Sequence, residues 1–420
     1  MSRIASMFWF PRAFAALAIV LALLGSVTSV PRETSAQPLP LKIYVGLFKD
    51  NAVAVVNGQT NELIKTIAVP TGPHGLVATP DGRRVYVSSD GATTVTAIDS
   101  SKDEAVATID VGAEPHGLAM TPDGRFLLVG GWGSDEVLML DTATDQVVGR
   151  AQAGRPHNIA VSPDNSRAYI GVQKADAPAI MVLQLPSLSP VATVPMTGNP
   201  RGLSTSPDGK WVYVTQAGSD DVLLLDAETR QFSGTIPIGP SPHFPLFASE
   251  SLGLVDSQGL GVLALIDVGS KAVQRTIAVG QRPHWTAVAP GGFAYVTNEA
   301  SNDMTVIDLN TGEAITTVPV GNGPRKIALA GARVAIGTTQ ADARIARFTF
   351  PALSPISPGQ TLTFHNDDSV PHTVTSVNRA FDSGEIDTSR NFRLTIDAPG
   401  TYEYFCVLHP YMRGSVVVQG

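Results

Sequence analysis

Four hundred and twenty residues exceed one ordinary domain and, at about 150 residues per domain, allow two or three unless the chain is built of repeats. Only 16% of the residues are charged, 43% are apolar, and 39 Gly with 31 Pro make the composition rich in turns and strands, which disfavours both a helical bundle and a disordered chain. The single cysteine, Cys406, excludes an internal disulfide framework and any metal centre needing two thiolates, and a net charge of −8 argues against nucleic acid as a partner.

Residues 1–36 carry an export pattern: Arg3 and Arg12 precede the apolar run 13–24, and the small residues Thr34 and Ala36 suit cleavage before Gln37. The run is shorter than a spanning helix, which needs about 20 residues. A cleaved signal peptide is therefore expected, with the mature chain in the periplasm and no membrane span after cleavage; the alternative is an uncleaved anchor, since weaker apolar residues continue to Val30. Its removal takes three Arg and one Glu and moves the net charge from −8 to −10.

Residues 41–340 repeat. A Pro followed by His or Arg occurs at Pro73-His74, Pro115-His116, Pro156-His157, Pro200-Arg201, Pro242-His243, Pro283-His284 and Pro324-Arg325, in steps of 42, 41, 44, 42, 41 and 41 residues. That period fits a propeller blade of four short strands, and seven markers predict seven blades. Within a unit the marker strand is followed by a Pro-Asp-Gly turn, as at Pro80-Asp81-Gly82, and then by a Val-Tyr-Val-like strand at Tyr86, Tyr169, Tyr213 and Tyr295. Those tyrosines are read as packing residues. The N-terminal strands at 42–69 lack a marker of their own, whereas the last marker segment, 324–330, lacks following strands. Joining the two in one blade closes the ring and removes the free sheet edges. The strand-like stretch 334–337 competes for a place there.

These units resemble the bacterial YVTN-type β-propeller repeat, most clearly at Tyr213-Val-Thr215 and Tyr295-Val-Thr-Asn298. The resemblance implies a fold rather than a function.

Residues 343–420 change character. Strand-like runs at 347–350, 361–365, 372–377, 392–396, 401–405 and 414–418 alternate with Gly and Pro turns, the pattern of a small β-sandwich. His372 and the loop Cys406-Val-Leu-His409-Pro-Tyr-Met412 supply a thiolate, two imidazoles and a thioether, the donor set of a trigonal blue copper site with a weak axial bond. These residues resemble the cupredoxins, a Greek-key β-sandwich family, and especially the amicyanin and plastocyanin type, in which the ligand loop follows a Gly-Thr-Tyr-x-Tyr strand, here Gly400 to Tyr404. The resemblance implies His372, Cys406, His409 and Met412 as ligands of one type 1 copper. It further implies Asn366 as the amide that holds the two ligand segments together, and His409 as the ligand that reaches solvent through an apolar patch containing Pro410. His365 matches no ligand position. The residue after Cys406 is Val407, so the Cys-His link to a second copper is absent.

The five remaining histidines all occupy the propeller marker. Since the first strand of a blade is innermost, His74, His116, His157, Arg201, His243, His284 and Arg325 are expected at one mouth of the central channel. Two uses stay open: hydrogen bonds to the neighbouring blade, or a cluster that binds a metal or a small anionic substrate, with the arginines orienting an oxyanion. The order of domains resembles nitrous oxide reductase, but two ring positions are Arg and the C-terminal domain has one cysteine, so that reaction is not expected.

The fold class is thus all-β, a seven-bladed propeller followed by a cupredoxin sandwich. The leading functional expectation is an exported electron-transfer protein whose propeller is a docking or ligand-binding platform, with a redox protein such as a cytochrome or dehydrogenase as partner. The alternatives are a copper oxidoreductase with an additional copper at the histidine ring, and a copper-binding scaffold or interaction protein.

Overall fold

The computed structural model describes residues 41–419 apart from 290–291, 310, 331–340, 347–348, 352, 354, 378–379 and 397. The export pattern at 1–36 and the stretch 334–337 lie outside the described residues. No described segment forms a helix, and so none is long and apolar enough to cross a membrane as one.

Seven four-stranded sheets form among the described residues. One runs Pro73–Ala78, Arg84–Ser89, Thr94–Asp99 and Glu104–Asp110 from inside to outside, all antiparallel. The second and third strands are buried on both faces because each sheet is stacked between two others, which is why they read as nearly continuous apolar runs. Outer strands such as Glu104–Asp110 are mostly exposed. The marker strands Pro73–Ala78, Pro115–Met120, Pro156–Val161, Pro200–Thr205, Pro242–Phe247, Pro283–Ala289 and Pro324–Ala330 touch one another in sequence and close into a ring. Closure is as expected: Pro324–Ala330 is the inner strand of a blade completed by Lys42–Leu47, Ala52–Asn57 and Leu63–Ala68.

The marker grammar follows from this packing. A Cβ at Gly75, Gly117 or Gly202 would strike the carbonyl oxygen of His116, His157 or His243 in the next blade, so the inner strands approach too closely for a side chain there. Hydroxyls tie blades together at the same level. Ser88 accepts the Gly75 N–H at 2.8 Å and donates to the His116 carbonyl; Thr215 does the same between Gly202 and His243. The Pro-Asp-Gly turns place Gly82 and Gly124 at φ of 67° and 72°, and Asn165 stands in for glycine at 60°. The repeat tyrosines are buried, as read, and Tyr86 also reaches forward one blade to Asp145 at 2.8 Å.

The C-terminal region holds two three-stranded sheets. Ala341–Ile345, Thr361–Asn366 and Asn391–Thr395 form one, and Thr375–Ser376, Gly400–Phe405 and Arg413–Val418 the other. Leu362, Phe364, Val374, Tyr404, Cys406, Met412 and Val416 are buried in one apolar cluster. Two details differ from the sequence reading. The first strand begins at Ala341, ahead of the expected boundary at 343, because it pairs in parallel with Thr361–Asn366. The expected strand 372–377 is a ladder only at Thr375–Ser376; Pro371 offers no N–H, and the Val374 N–H goes to the Ser383 side chain at 2.8 Å.

Thr215→Val keeps the shape of the side chain but leaves the Gly202 N–H and His243 carbonyl buried without that partner. It should lower unfolding stability by about 2–4 kcal/mol, measured by urea denaturation; a change within about 0.5 kcal/mol, the range of a neutral substitution, would show that the hydroxyl does not tie the blades.

Candidate metal centre

The loop between Gly400–Phe405 and Arg413–Val418 is a tight turn held by its own backbone. The Cys406 N–H donates to Met412 O at 3.2 Å, His409 to Cys406 O at 3.3 Å and Met412 to His409 O at 2.9 Å. This winding brings the Cys406 and His409 side chains of a Cys-x2-His-x2-Met segment together. His372 arrives from the other segment, where it exchanges both backbone hydrogen bonds with Ile386 at 3.2 and 2.7 Å.

Three donor atoms converge: Cys406 Sγ lies 3.8 Å from His372 Nδ1 and 3.6 Å from His409 Nδ1, and the two nitrogens are 3.2 Å apart. A triangle of that size has its centre about 2 Å from each corner, the length of a metal–imidazole bond. The donor set therefore fits a metal ion. His372 Nε2 faces Asp368 Oδ2 at 2.9 Å, which places the ring proton on Nε2 and leaves the Nδ1 lone pair toward Cys406. Met412 is buried in the same cluster as Cys406. His372 is fully buried and His409 half-buried, and Val407, Leu408, Pro410 and Tyr411 around His409 are exposed.

Asn366 is buried and holds the His372 segment, donating to Val370 O and Ile386 O, each at 2.8 Å, and accepting the Asp368 N–H. Its bonds do not reach the 406–412 loop. The two ligand segments are joined instead by Thr373, whose N–H donates to Cys406 Sγ at 3.2 Å and whose hydroxyl accepts the Val407 N–H at 2.8 Å. The residue next to His372 faces the loop directly, whereas Asn366 sits a strand end away. His365 lies in the strand Thr361–Asn366 and is not among the converging donors.

The seven marker residues His74, His116, His157, Arg201, His243, His284 and Arg325 all line one cavity of about 360 Å³. Burial, reinforced by neighbouring positive groups, pushes His116 and His243 down to about 3 and His74, His157 and His284 well below the ordinary imidazole value, so all five are neutral at pH 7. Lys326, also buried, is pulled down to about 7; its Nζ donates to Asn158 at 2.7 Å and lies over the Trp285 ring. Sequence reasoning missed Asp90 and Glu299, which join the cluster from the position just beyond each second strand. The signal lies in the register, which the spacing alone does not give: the marker proline pairs with the last residue of that strand, Ser89 or Asn298, so the next residue meets the channel mouth.

Comparison with known proteins agrees with both parts. Residues 43–168 match the cytochrome D1 heme domain family, and residues 351–418 match the cupredoxin-like domain family. Among solved structures, hydrazine synthase of Kuenenia stuttgartiensis superposes with a TM-score of 0.59 at 18% identity, covering 68% of this chain and 99% of that one. A dihydro-heme d1 dehydrogenase superposes with a TM-score of 0.53 at 20% identity, covering 72% and 78%. At such identity these likenesses show the propeller fold alone. The fold and donor set of the C-terminal domain define a cupredoxin, a copper electron-transfer module. Amicyanin-alpha of Methylorubrum extorquens is 30% identical over 88 residues, which is 20% of this chain and 73% of that protein. Amicyanin of Paracoccus denitrificans is 33% identical over 93 residues, 21% and 70% respectively. Through its C-terminal domain the chain belongs to the amicyanin family.

Asp256 is a buried acid at the level of Ser88 and Thr215, 4.0 Å from the neutral His243. Burial raises its carboxyl to about 7. Because the folded-state value lies above the unfolded one, folding favours the protonated form, and stability falls as pH rises from about 4 to about 7. Asp256→Asn should therefore stabilise the protein relative to wild type by an amount that grows on the order of 3 kcal/mol between pH 4.5 and 7.5. Thermal melts across that range check this; a difference independent of pH would contradict it.

Proposed function

We propose that the chain is an exported periplasmic electron-transfer protein whose cupredoxin domain, approximately residues 341–420, holds one type 1 copper at His372, Cys406, His409 and Met412, and whose propeller, residues 41–340, is a docking or ligand-binding platform. The observation that carries this reading is the convergence of Cys406 Sγ and the two Nδ1 atoms within 3.2–3.8 Å of one another. Copper bound there would cycle between its +1 and +2 states and so pass single electrons. The residues around it limit rearrangement. Asp368 fixes the His372 ring, the Thr373 N–H points at the thiolate sulfur, and the turn bonds of the 406–412 loop hold Cys406, His409 and Met412 in one frame. Burial of His372 and Cys406 keeps water from the thiolate.

Electrons would enter and leave at His409. Its ring is the half-buried member of the set, and Leu408 and Tyr411, 42% and 70% exposed, form with Val407 and Pro410 an apolar collar suited to a redox protein such as a cytochrome or dehydrogenase. The export pattern at 1–36 supports the periplasmic location.

Met412→Leu should retain copper and raise the reduction potential, because it removes only the weak axial donor; protein-film voltammetry with metal analysis checks this, and loss of copper would contradict the ligand set. Leu408→Asp should leave the copper spectrum unchanged and slow electron exchange with a partner or a second copy; an unchanged exchange rate would place the electron route elsewhere.

A further inference from the structure

The marker residues fall into two groups. His157 and His243 make blade contacts through Nδ1 alone, 3.2 Å from the Arg201 carbonyl and 2.7 Å from the His284 carbonyl respectively. Arg201 donates to Ser241 at 2.9 Å. Arg325 is turned aside: Nε donates to Glu299 at 3.0 Å, and the guanidinium lies 3.4 Å from the centre of the Phe48 ring. With Arg325 displaced, His74 and His284, from the blades on either side of it, come within 6.1 Å of each other, centre to centre. His74 also stacks on His116 at 3.6 Å.

What remains is a set of nitrogens with nothing to do. His74 Nδ1, His116 Nε2 and His284 Nδ1 are buried and have no hydrogen-bond partner. His74 and His284 are only 5% and 6% exposed. Buried polar atoms without a partner are costly, and several of them lining one channel mouth call for a ligand. Asp90 stands at the other edge of the His116 ring, its Oδ1 3.1 Å from Nδ1, so Nδ1 is the atom His116 would turn to an ion shared with Asp90. One donor atom each from His74, Asp90 and His116 lies within 4.8 Å of the other two.

We propose that His74, His116 and Asp90 hold one divalent transition-metal ion at the mouth of the propeller channel, with His284 the next imidazole in reach. Two imidazoles and a carboxylate suit Zn²⁺, Cu²⁺ or Fe²⁺ rather than Mg²⁺ or Ca²⁺, which prefer oxygen donors alone. Burial raises the Asp90 carboxyl to about 7, so a bound cation would draw off its proton and be met by the resulting carboxylate, and Glu299 answers the charge of Arg325. Lys326 is held by Asn158 and Trp285. Three protein donors leave coordination positions for water or a small anion, and His74 and His116 line a cavity of about 360 Å³ that could admit one. This site is independent of the copper centre.

The test uses the full chain carrying Cys406→Ala and His409→Ala, which removes the C-terminal donor set. Zn²⁺ titration by calorimetry should find one equivalent bound, and Co²⁺ in its place should give d–d absorption without a thiolate charge-transfer band. Adding His74→Ala or Asp90→Asn should in each case weaken zinc by more than about 10-fold, the lower end of what the loss of even an outer-shell partner costs. Adding His157→Gln should leave zinc binding intact. Thermal melts of each variant confirm a folded propeller. Absence of zinc binding by the folded double variant would overturn the proposal, as would binding that survives both His74→Ala and Asp90→Asn.

Discussion

Everything in the propeller depends on one pairing, that of Pro324–Ala330 with Lys42–Leu47. It joins the two ends of the repeat in a single sheet, so the seven inner strands close instead of ending on two open edges. Once the ring is closed, every marker residue is delivered to the same depth on one axis. The glycines that let inner strands touch and the hydroxyls of Ser88, Thr215 and Thr297 that bridge blades then follow as local consequences. A position that is seven scattered dipeptides in the chain becomes one cavity wall.

The two histidine-rich places are built on opposite principles. At the C-terminal centre one short loop supplies Cys406, His409 and Met412, and the fourth residue, His372, is brought in by the sandwich. A hydrogen bond from His372 to Asp368 sets ring orientation, and one from the Thr373 N–H sets the sulfur environment, before any metal arrives. At the channel mouth each residue comes from a different blade, so its placement rests on the whole ring. Burial there keeps the imidazoles neutral, and the hydrogen bonds of His157 and His243 show that a repeated residue need not keep a repeated role.

What could be read in the chain was what is encoded by spacing. The marker period announced seven blades, the missing marker before residue 42 announced the mixed closing blade, and Cys-x2-His-x2-Met announced the donor loop. What could not be read depends on register and on side-chain competition between distant segments. Thr373 rather than Asn366 spans the ligand segments because the residue beside His372 happens to face Val407. The strand expected at 372–377 is short because the Val374 N–H goes to the Ser383 side chain instead of a ladder partner. Asp90 became legible only once Pro73 was seen opposite Ser89, which puts the following residue at the channel mouth. The diversion of Arg325 onto Glu299 and Phe48 has no signature in the spacing at all.

The cupredoxin domain links the chain to single-electron chemistry, and the proposed trigonal thiolate site rests on the convergence of Cys406, His372 and His409. Electron paramagnetic resonance and visible absorption of the Cu²⁺-loaded full chain address that geometry directly. An intense thiolate-to-copper charge-transfer band, together with the small copper hyperfine splitting of a highly covalent Cu–S bond, is the predicted result. A spectrum of tetragonal copper with the large splitting of ordinary nitrogen and oxygen ligation, and no such band, would contradict it.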